Sequence, residues 1–471
     1  MLYERLADNV AHLIENGVYQ LGARLPSVRR ISVEKDLSVS TCVRAYHELE
    51  RRGVIEARPR SGFFVLSTGT SLALPSVSSE AATPVPVSGR DRILRMLDAS
   101  AEPDMTNFGA ASPHPGFMPS GAIARASSRI WHMARRRCMT QAFPPGAFEL
   151  RAEIARRLSL ASCDVSPDDL VITNGCQASL TLALRLVCKP GDVVAVESPT
   201  YYGLLEVLEQ CGLRALPIPT DPQTGVSLKL LEKALIRWNP GAIAVIPTIS
   251  NPMGVTLSEE KKRRLVQLAE KYGIPIIEDD VYGELVASGR RSRPLKSWDQ
   301  SGNVYYCSSA TKTISAGLRI GWVWVPSERR EEARYQQYLA SVSVNTPAQL
   351  TLANYLATAN IHRHMRIAAR GYKRCRREFA AQLEAKLPAS VSISRPHGGF
   401  LIWVELPEYV DTTELLSRAL ARHVVFAPGE LFSPDGEFKN CLRLNSALES
   451  AEMANRGISI LAELMSDSIK S

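Results

Sequence analysis

The chain has 471 residues, 45% of them hydrophobic and 22% charged, with a net charge of +8. That balance excludes a disordered, collagen-like or disulfide-scaffold protein, and the length suggests about three domains of ~150 residues. No apolar run reaches the ~18 residues of a membrane-spanning helix, and the positive charge permits an acidic polymer as partner without demanding one.

The opening residues include Glu4 and Asp8 and lack an apolar signal core, so export is not expected. The nine cysteines are scattered with no C-x-x-C pair, which fits a reducing cytoplasm and argues against a zinc site. Leu6, Val10, Leu13 and Ile14 share one helical face, and Gly17 stops that helix. Ser27 is placed to cap a second helix over residues 28–37, and Ser38 a third that turns Cys42, Tyr46 and Leu49 inward and ends at Gly53. Val54-Ile55 and Phe63-Phe64-Val65 flank the turn from Arg58 to Gly62, predicting a two-stranded wing.

This layout is that of a winged helix-turn-helix, with a generic small helical domain as the alternative from periodicity alone. In the first reading the third helix enters the major groove of double-stranded operator DNA. Ser40, Thr41 and Arg44 then face bases or phosphates, and Arg29, Arg58 and Arg60 sit on the backbone. The capping Ser38 and the turn glycine Gly62 complete the DNA-binding set. Charge adds little, since residues 1–66 hold ten Lys/Arg against eight Asp/Glu, a net of +2. The segments G-x-R-L-P-S-V-R (Gly22 to Arg29), A-Y-x-x-L-E-x-x-G (Ala45 to Gly53) and R-x-R-S-G-F-F-V (Arg58 to Val65) closely resemble the GntR family of bacterial repressors. Many members carry Arg directly after the capping Ser or Thr. Val39 stands there in this chain, so the resemblance implies that specificity rests on Ser40, Thr41 and Arg44.

Residues 67–89 are small, polar and Pro-rich and read as a flexible linker, or else as a long surface loop. Beyond it, apolar strands at 170–173, 192–197, 242–248, 275–280, 303–308 and 319–325 alternate with helical patterns at 177–188, 202–211, 227–238 and 258–272. Such alternation predicts an α/β fold with a mostly parallel sheet flanked by helices. Ligands bind such sheets beyond the strand carboxyl ends.

The loops at those ends are informative. Asn174-Gly175-Cys176-Gln177 opens a helix, where free N–H groups favour a phosphate. Tyr201 follows the next strand and is an aromatic able to stack on a planar ring, or a core tyrosine. Asn251 precedes a proline at another strand end. Glu278-Asp279-Asp280-Val281-Tyr282 adds carboxylates and a phenol, with no His cluster to favour metal. Lys312 lies among Ser308, Ser309, Thr311 and Thr313, with Arg319 seven residues on. Pyridoxal phosphate unites these parts. It needs a lysine for its aldehyde, an acid for its ring nitrogen, donors for its phenolic oxygen, a stacking aromatic and phosphate donors.

Residues 105–471 resemble the fold-type I aminotransferases, and the joined architecture resembles the MocR subfamily of GntR regulators. The resemblance implies a winged helix-turn-helix (1–66), the linker, and an aminotransferase-like domain (90–471). That domain would have a large subdomain at about 140–325 and a smaller α+β subdomain at about 326–471, joined by the segment before 140. It assigns Lys312 as the Schiff-base lysine, Asp279 as the acid on the ring nitrogen, and Asn251 and Tyr282 as partners of the phenolic oxygen. Tyr201 becomes the stacking ring, while Gly175, Cys176, Gln177, Ser309, Thr311 and Arg319 hold the phosphate. Arg443 matches the arginine that grips an amino-acid carboxylate. It also implies a homodimer, and a regulator whose effector is an amino acid or a compound related to pyridoxal phosphate. An active aminotransferase with an accessory DNA-binding domain is the alternative. Three departures stand out. No tyrosine occupies Gln141 to Gly146, where many aminotransferases send one to the partner's phosphate. Ala316-Gly317 replaces Pro-Gly after the lysine, and Cys176 replaces Ser or Ala.

Overall fold

The computed structural model describes all residues except 1, 16–17, 21, 59–60, 67–71, 78–82, 88–89, 103, 287–290, 449 and 471. Three helices open the chain, Leu2–Glu15, Val28–Glu34 and Val39–Arg51. Gly17, expected to stop the first, lies outside the described residues. The two predicted caps form. Ser27 Oγ accepts from Arg30 N, and Ser38 Oγ accepts from Thr41 N at 3.1 Å. The second helix is shorter than expected because Asp36 adopts φ 51°, a left-handed conformation that ends it. Leu6, Val10, Ile14, Cys42, Tyr46 and Leu49 are buried in one core. Strands Ile55–Arg58 and Gly62–Val65 pair antiparallel as the wing. Tyr46 ties the helices to it, its hydroxyl donating to Pro26 O at 2.9 Å and its ring meeting Phe63 edge-on.

The large sheet runs in the order Val85–Pro86, Arg214–Asp221, Val193–Ser198, Ala242–Val245, Ile276–Asp279, Val304–Ser309, Gly321–Trp324, Leu170–Thr173. From Arg214–Asp221 to Val304–Ser309 the pairs are parallel, and the last two are antiparallel. All six predicted strands are present. Arg214–Asp221 is additional, hidden in the sequence by Pro217 and Pro219. Their missing donors, two residues apart, fall on one side of the strand, and the partners there are only two-residue strands pairing elsewhere along it. Helices Cys176–Val187, Tyr202–Gln210, Leu228–Trp238 and Glu259–Tyr272 match the predicted periodicities within a residue or so.

A second sheet, Ser392–Ile393, Leu401–Glu405, Cys441–Asn445 and Ala427–Pro428, packs against helices Thr412–Leu420 and Ala451–Lys470. Helix Arg90–Ala101 and strand Thr106–Asn107 join this smaller unit. The boundary expected near 326 needs correction. Helices Ser120–Met133 and Thr346–Thr358 bury their apolar faces with Leu170 and Ile172 of the large sheet, so residues to about 361 belong to the larger core.

The segment expected to be flexible is also corrected over its described residues. Leu72 is buried in the smaller core, Ala73 bridges Ser392, and Ser76 N and Oγ both donate to Glu405. Val85–Pro86 then pairs with the edge of the large sheet. Composition signals disorder only when a segment has no apolar surface to bury. Here Leu72, Pro75 and Pro84 supply it.

Candidate functional site

The strand ends converge as the topology requires. One cavity is lined by Ala111, Cys176, Gln177, Tyr201, Asn251, Asp279, Tyr282, Ser309, Thr311, Lys312 and Arg319. Lys312 follows strand Val304–Ser309, and Asp279 ends the neighbouring strand Ile276–Asp279. Lys312 Nζ donates to Ala111 O at 2.6 Å. Burial and, after it, the Arg443 charge lower its ammonium to a pKa of about 8, so a reactive free amine is accessible near neutrality. Asp279 Oδ1 accepts from Cys176 Sγ at 3.4 Å and from Val281 N at 3.3 Å. Burial raises its carboxyl to about 6 against those two donors. A cationic group is the partner such a carboxylate lacks.

Gly175 caps helix Cys176–Val187 at φ 95°, and no side chain caps that end. Its N–H groups therefore face the cavity end of the helix with the positive end of the dipole. Arg319, itself at φ 52°, lies directly over Gly175. A Cβ at Gly175 would stand 2.7 Å from Arg319 Nη2, so glycine is required both by backbone conformation and by close approach. Ser309 Oγ accepts from Thr311 N at 3.4 Å on the next loop. This donor set, with its arginine and helix end, fits a phosphate.

Arg443 is fully buried on strand Cys441–Asn445. Nη1 donates to Asn251 Oδ1 at 3.2 Å and Nη2 to Gly109 O, while Nε has no partner. Tyr202 and Phe432 flank the guanidinium, their ring centroids 5.6 and 5.1 Å away. Among the described residues no carboxylate pairs with it. A surface salt bridge is thus excluded, and the arginine is a buried cation held by neutral acceptors beside Lys312. Tyr282 is buried, and that burial raises its phenol against the opposing pull of Arg443. Tyr201 folds over Gly203, where a Cβ would lie 2.3 Å from its hydroxyl oxygen.

The segment through Gly109, Ala110, Ala111 and Ser112 was not legible as part of the site. Its carbonyls accept from Arg443, Asn445 and Lys312, and carbonyl positions leave no mark on sequence. Glu197 was also missed. Its carboxyl, raised to about 8 by burial, accepts from Ile246 N at 2.8 Å and ties two strand ends together.

In the winged helix, Arg29 and Arg44 are exposed. The Ser40 and Thr41 hydroxyls are drawn to the capping Ser38 Oγ at 2.9 and 2.7 Å. Arg58 bonds Glu56 at 2.6 Å and lies over Phe64. Gly62 has φ 102° beneath the Arg24 guanidinium, which places Arg24 at the wing as well. Arg60 lies outside the described residues.

The bacterial regulatory protein gntR family matches residues 2–65, and the aminotransferase class I and II family matches residues 104–461. The chain is 37% identical to the HTH-type transcriptional regulator YjiR of Escherichia coli, over 98% of each chain. It is 35% identical to YdcR of the same organism, named likewise, over 99% of each. A kynurenine aminotransferase from Pyrococcus horikoshii superimposes with a TM-score of 0.76 at 28% identity, covering 82% of this chain and 96% of that one. The chain belongs to the aminotransferase class I and II family and, through its gntR winged helix, to the MocR type of GntR regulators.

Proposed function

We propose that this chain is a cytoplasmic, homodimeric transcriptional regulator that binds operator DNA and senses an amino acid through pyridoxal phosphate held at Lys312. The observation that carries the reading is Arg443. A fully buried guanidinium bonded, among the described residues, only to Asn251 and a backbone carbonyl calls for an anion, and a substrate carboxylate is the matching bidentate partner.

When bound, pyridoxal phosphate supplies an electrophilic carbonyl and an electron-withdrawing ring. The chain's residues supply the rest. Gly175, Cys176 and Gln177 offer helix-end amides to the phosphate, with Ser309, Thr311 and Arg319 beside them. Asp279 would give its charge to the ring nitrogen, and Asn251 and Tyr282, which line the same cavity, would bond the phenolic oxygen. Tyr201 would stack on the ring, and Lys312 offers a neutral amine near pH 8. In the winged helix, Arg29, Arg44, Arg58, Arg60 and Gly62 meet DNA, with Ser38, Ser40 and Thr41 at the helix start.

The intact donor set and the likeness to aminotransferases also favour turnover of an amino acid with a 2-oxo acid. An ultraviolet–visible titration of the purified protein with the standard amino acids tests the reading, followed by operator binding with and without the responding compound. Spectral change together with altered DNA affinity supports a sensor. Spectral change and turnover with unaltered DNA affinity supports the enzyme.

A further inference from the structure

We infer that the aminotransferase-like part carries a second, sequence-independent DNA-binding surface along helix Ile361–Lys386, continuous with the wing. Residues 361–377 hold seven arginines and lysines and no acid. One, Arg376, is buried and donates to Gly399 O at 2.7 Å. The other six are Arg363, Arg366, Arg370, Lys373, Arg374 and Arg377. At ~100° per residue these six fall within an arc of roughly 100°, so they form one stripe along the helix. The first five are exposed, and none of their side chains bonds or pairs with another described residue.

A solvated helix face normally intersperses both signs at i, i+4, since like charges there are mutually destabilising. An unbroken cationic stripe opposes helix stability and needs an anion to relieve it. The stripe's position says which anion. At its carboxyl end Arg377 Nη2 donates to Ile55 O at 3.1 Å, and Ile55 begins the first strand of the wing. The fourteen residue steps of helix from Arg363 to Arg377 span ~21 Å, about six phosphate steps of one DNA strand. A duplex held by the winged helix therefore has the stripe beside it, on the side of the wing root. Arginine and lysine on a regular helix contact phosphates without reading bases, so the surface adds affinity and register and not sequence choice.

The inference rests on the DNA-binding reading of the winged helix, and the test separates the two. Duplexes of random sequence, one of about 20 base pairs and one of about 60, are titrated by fluorescence anisotropy across a salt series. Three full-length proteins are compared. One is wild type. One carries Arg366→Gln, Arg370→Gln, Lys373→Gln and Arg374→Gln. The third carries Lys233→Gln, Arg237→Gln, Arg263→Gln and Arg264→Gln, an equal charge loss from exposed positions of two other helices. Circular dichroism checks that all three are folded, and Gln keeps helix propensity close to that of Arg and Lys.

On the long duplex the stripe variant is expected to bind at least tenfold more weakly than wild type, with the salt slope reduced by about 3 to 4. The control variant is expected to lose far less. Photo-crosslinking from p-benzoylphenylalanine in place of Arg370 should label the long duplex. Equal losses in both variants, or no loss in either, overturn the stripe alone. So does a crosslink from position 370 to a second copy of the chain or to another protein. A wild-type chain that binds neither duplex overturns the DNA reading itself, and the stripe with it.

Discussion

Asn251 Oδ1 accepts from Arg443 Nη1 at 3.2 Å, across the junction between the two subdomains. Asn251 is thus bonded to the arginine proposed to grip a carboxylate as well as lining the cavity proposed to hold the phenolic oxygen. Arg443→Lys keeps the charge but loses the fork. It should weaken binding of an amino-acid effector by about 2–5 kcal/mol, while the corresponding amine, which lacks the carboxylate, binds as before. Absorbance titrations of the loaded protein measure both. Equal preference for amino acid and amine in the wild type would remove Arg443 from the effector site.

Lys312 offers a pH signature. Its folded pKa is lowered to about 8, from 10.5 in the unfolded chain, by burial and by Arg443. The neutral amine is the nucleophile, so capture of pyridoxal phosphate by the empty protein should rise about tenfold per pH unit below 8 and level off above it. Stopped-flow absorbance follows the reaction, and borohydride should then fix the label to Lys312. A midpoint near 10.5, or a label on another lysine, contradicts the assignment.

Cys176 Sγ donates to Asp279 Oδ1, the carboxylate proposed to meet the ring nitrogen. Asp279→Asn preserves shape but removes the charge. It should leave thermal stability intact and slow any spectral half-reaction with an amino acid by about 100-fold or more. Burial raises the Asp279 carboxyl to about 6 in the empty protein, and a pyridinium paired with it lowers that value, so the wild-type half-reaction should fall only as pH drops below 6. Cys176→Ala removes one of the two donors that oppose this rise and should move that midpoint upward. An Asn variant with the wild-type rate would point instead to Asp280, although Arg291 and Tyr306 already occupy that carboxylate.

Much of this was legible because strand ends are strongly determined. Apolar runs such as Leu170–Thr173 and Val304–Ser309 fix where a sheet ends, and the loop chemistry follows by position. Arg443 reads in the sequence as following the last strand, whereas it lies inside strand Cys441–Asn445; its burial was not legible, since burial depends on the smaller sheet packing over Phe432 and Tyr202. The carbonyls of Gly109 and Ala111 were invisible for a different reason: any residue can present a carbonyl. The docking of Leu72 was missed because the few apolar residues of 67–89 are scattered among polar ones and prolines and show no periodicity.

At the DNA end, Ser38 is a structural cap, and its removal in Ser38→Ala should cost about 1 kcal/mol of stability. It would also release the Ser40 and Thr41 hydroxyls. Arg44 and Arg29 differ in role. Arg44→Ala should lose about 1–3 kcal/mol of discrimination between operators, while Arg29→Ala should weaken all sequences alike and lower the salt slope by about 1. The reverse pattern would mean that the third helix does not lie in the major groove.

Arg443 pairs across the smaller sheet with Trp403, and two residues along that strand Glu405 holds Ser76 N and Oγ. Ser76 belongs to the connection that leads to the winged helix, and that connection is pinned again at Val85–Pro86 on the large sheet. It therefore spans both subdomains, so a movement of one against the other must strain or release it. An effector shifts DNA affinity only through a difference in its own affinity for two states, and Arg443 provides that difference on the smaller subdomain. Wild type should show a coupling of about 1–3 kcal/mol between effector and operator. Glu405→Ala removes the Ser76 anchor without touching the cavity. It should leave effector binding and basal DNA binding unchanged while reducing the coupling by at least half. Anisotropy titrations of operator DNA at zero and saturating effector measure it. An undiminished coupling in Glu405→Ala would mean that the signal passes elsewhere, through the Ala73–Ser392 bridge or the direct contact of Arg377 to Ile55.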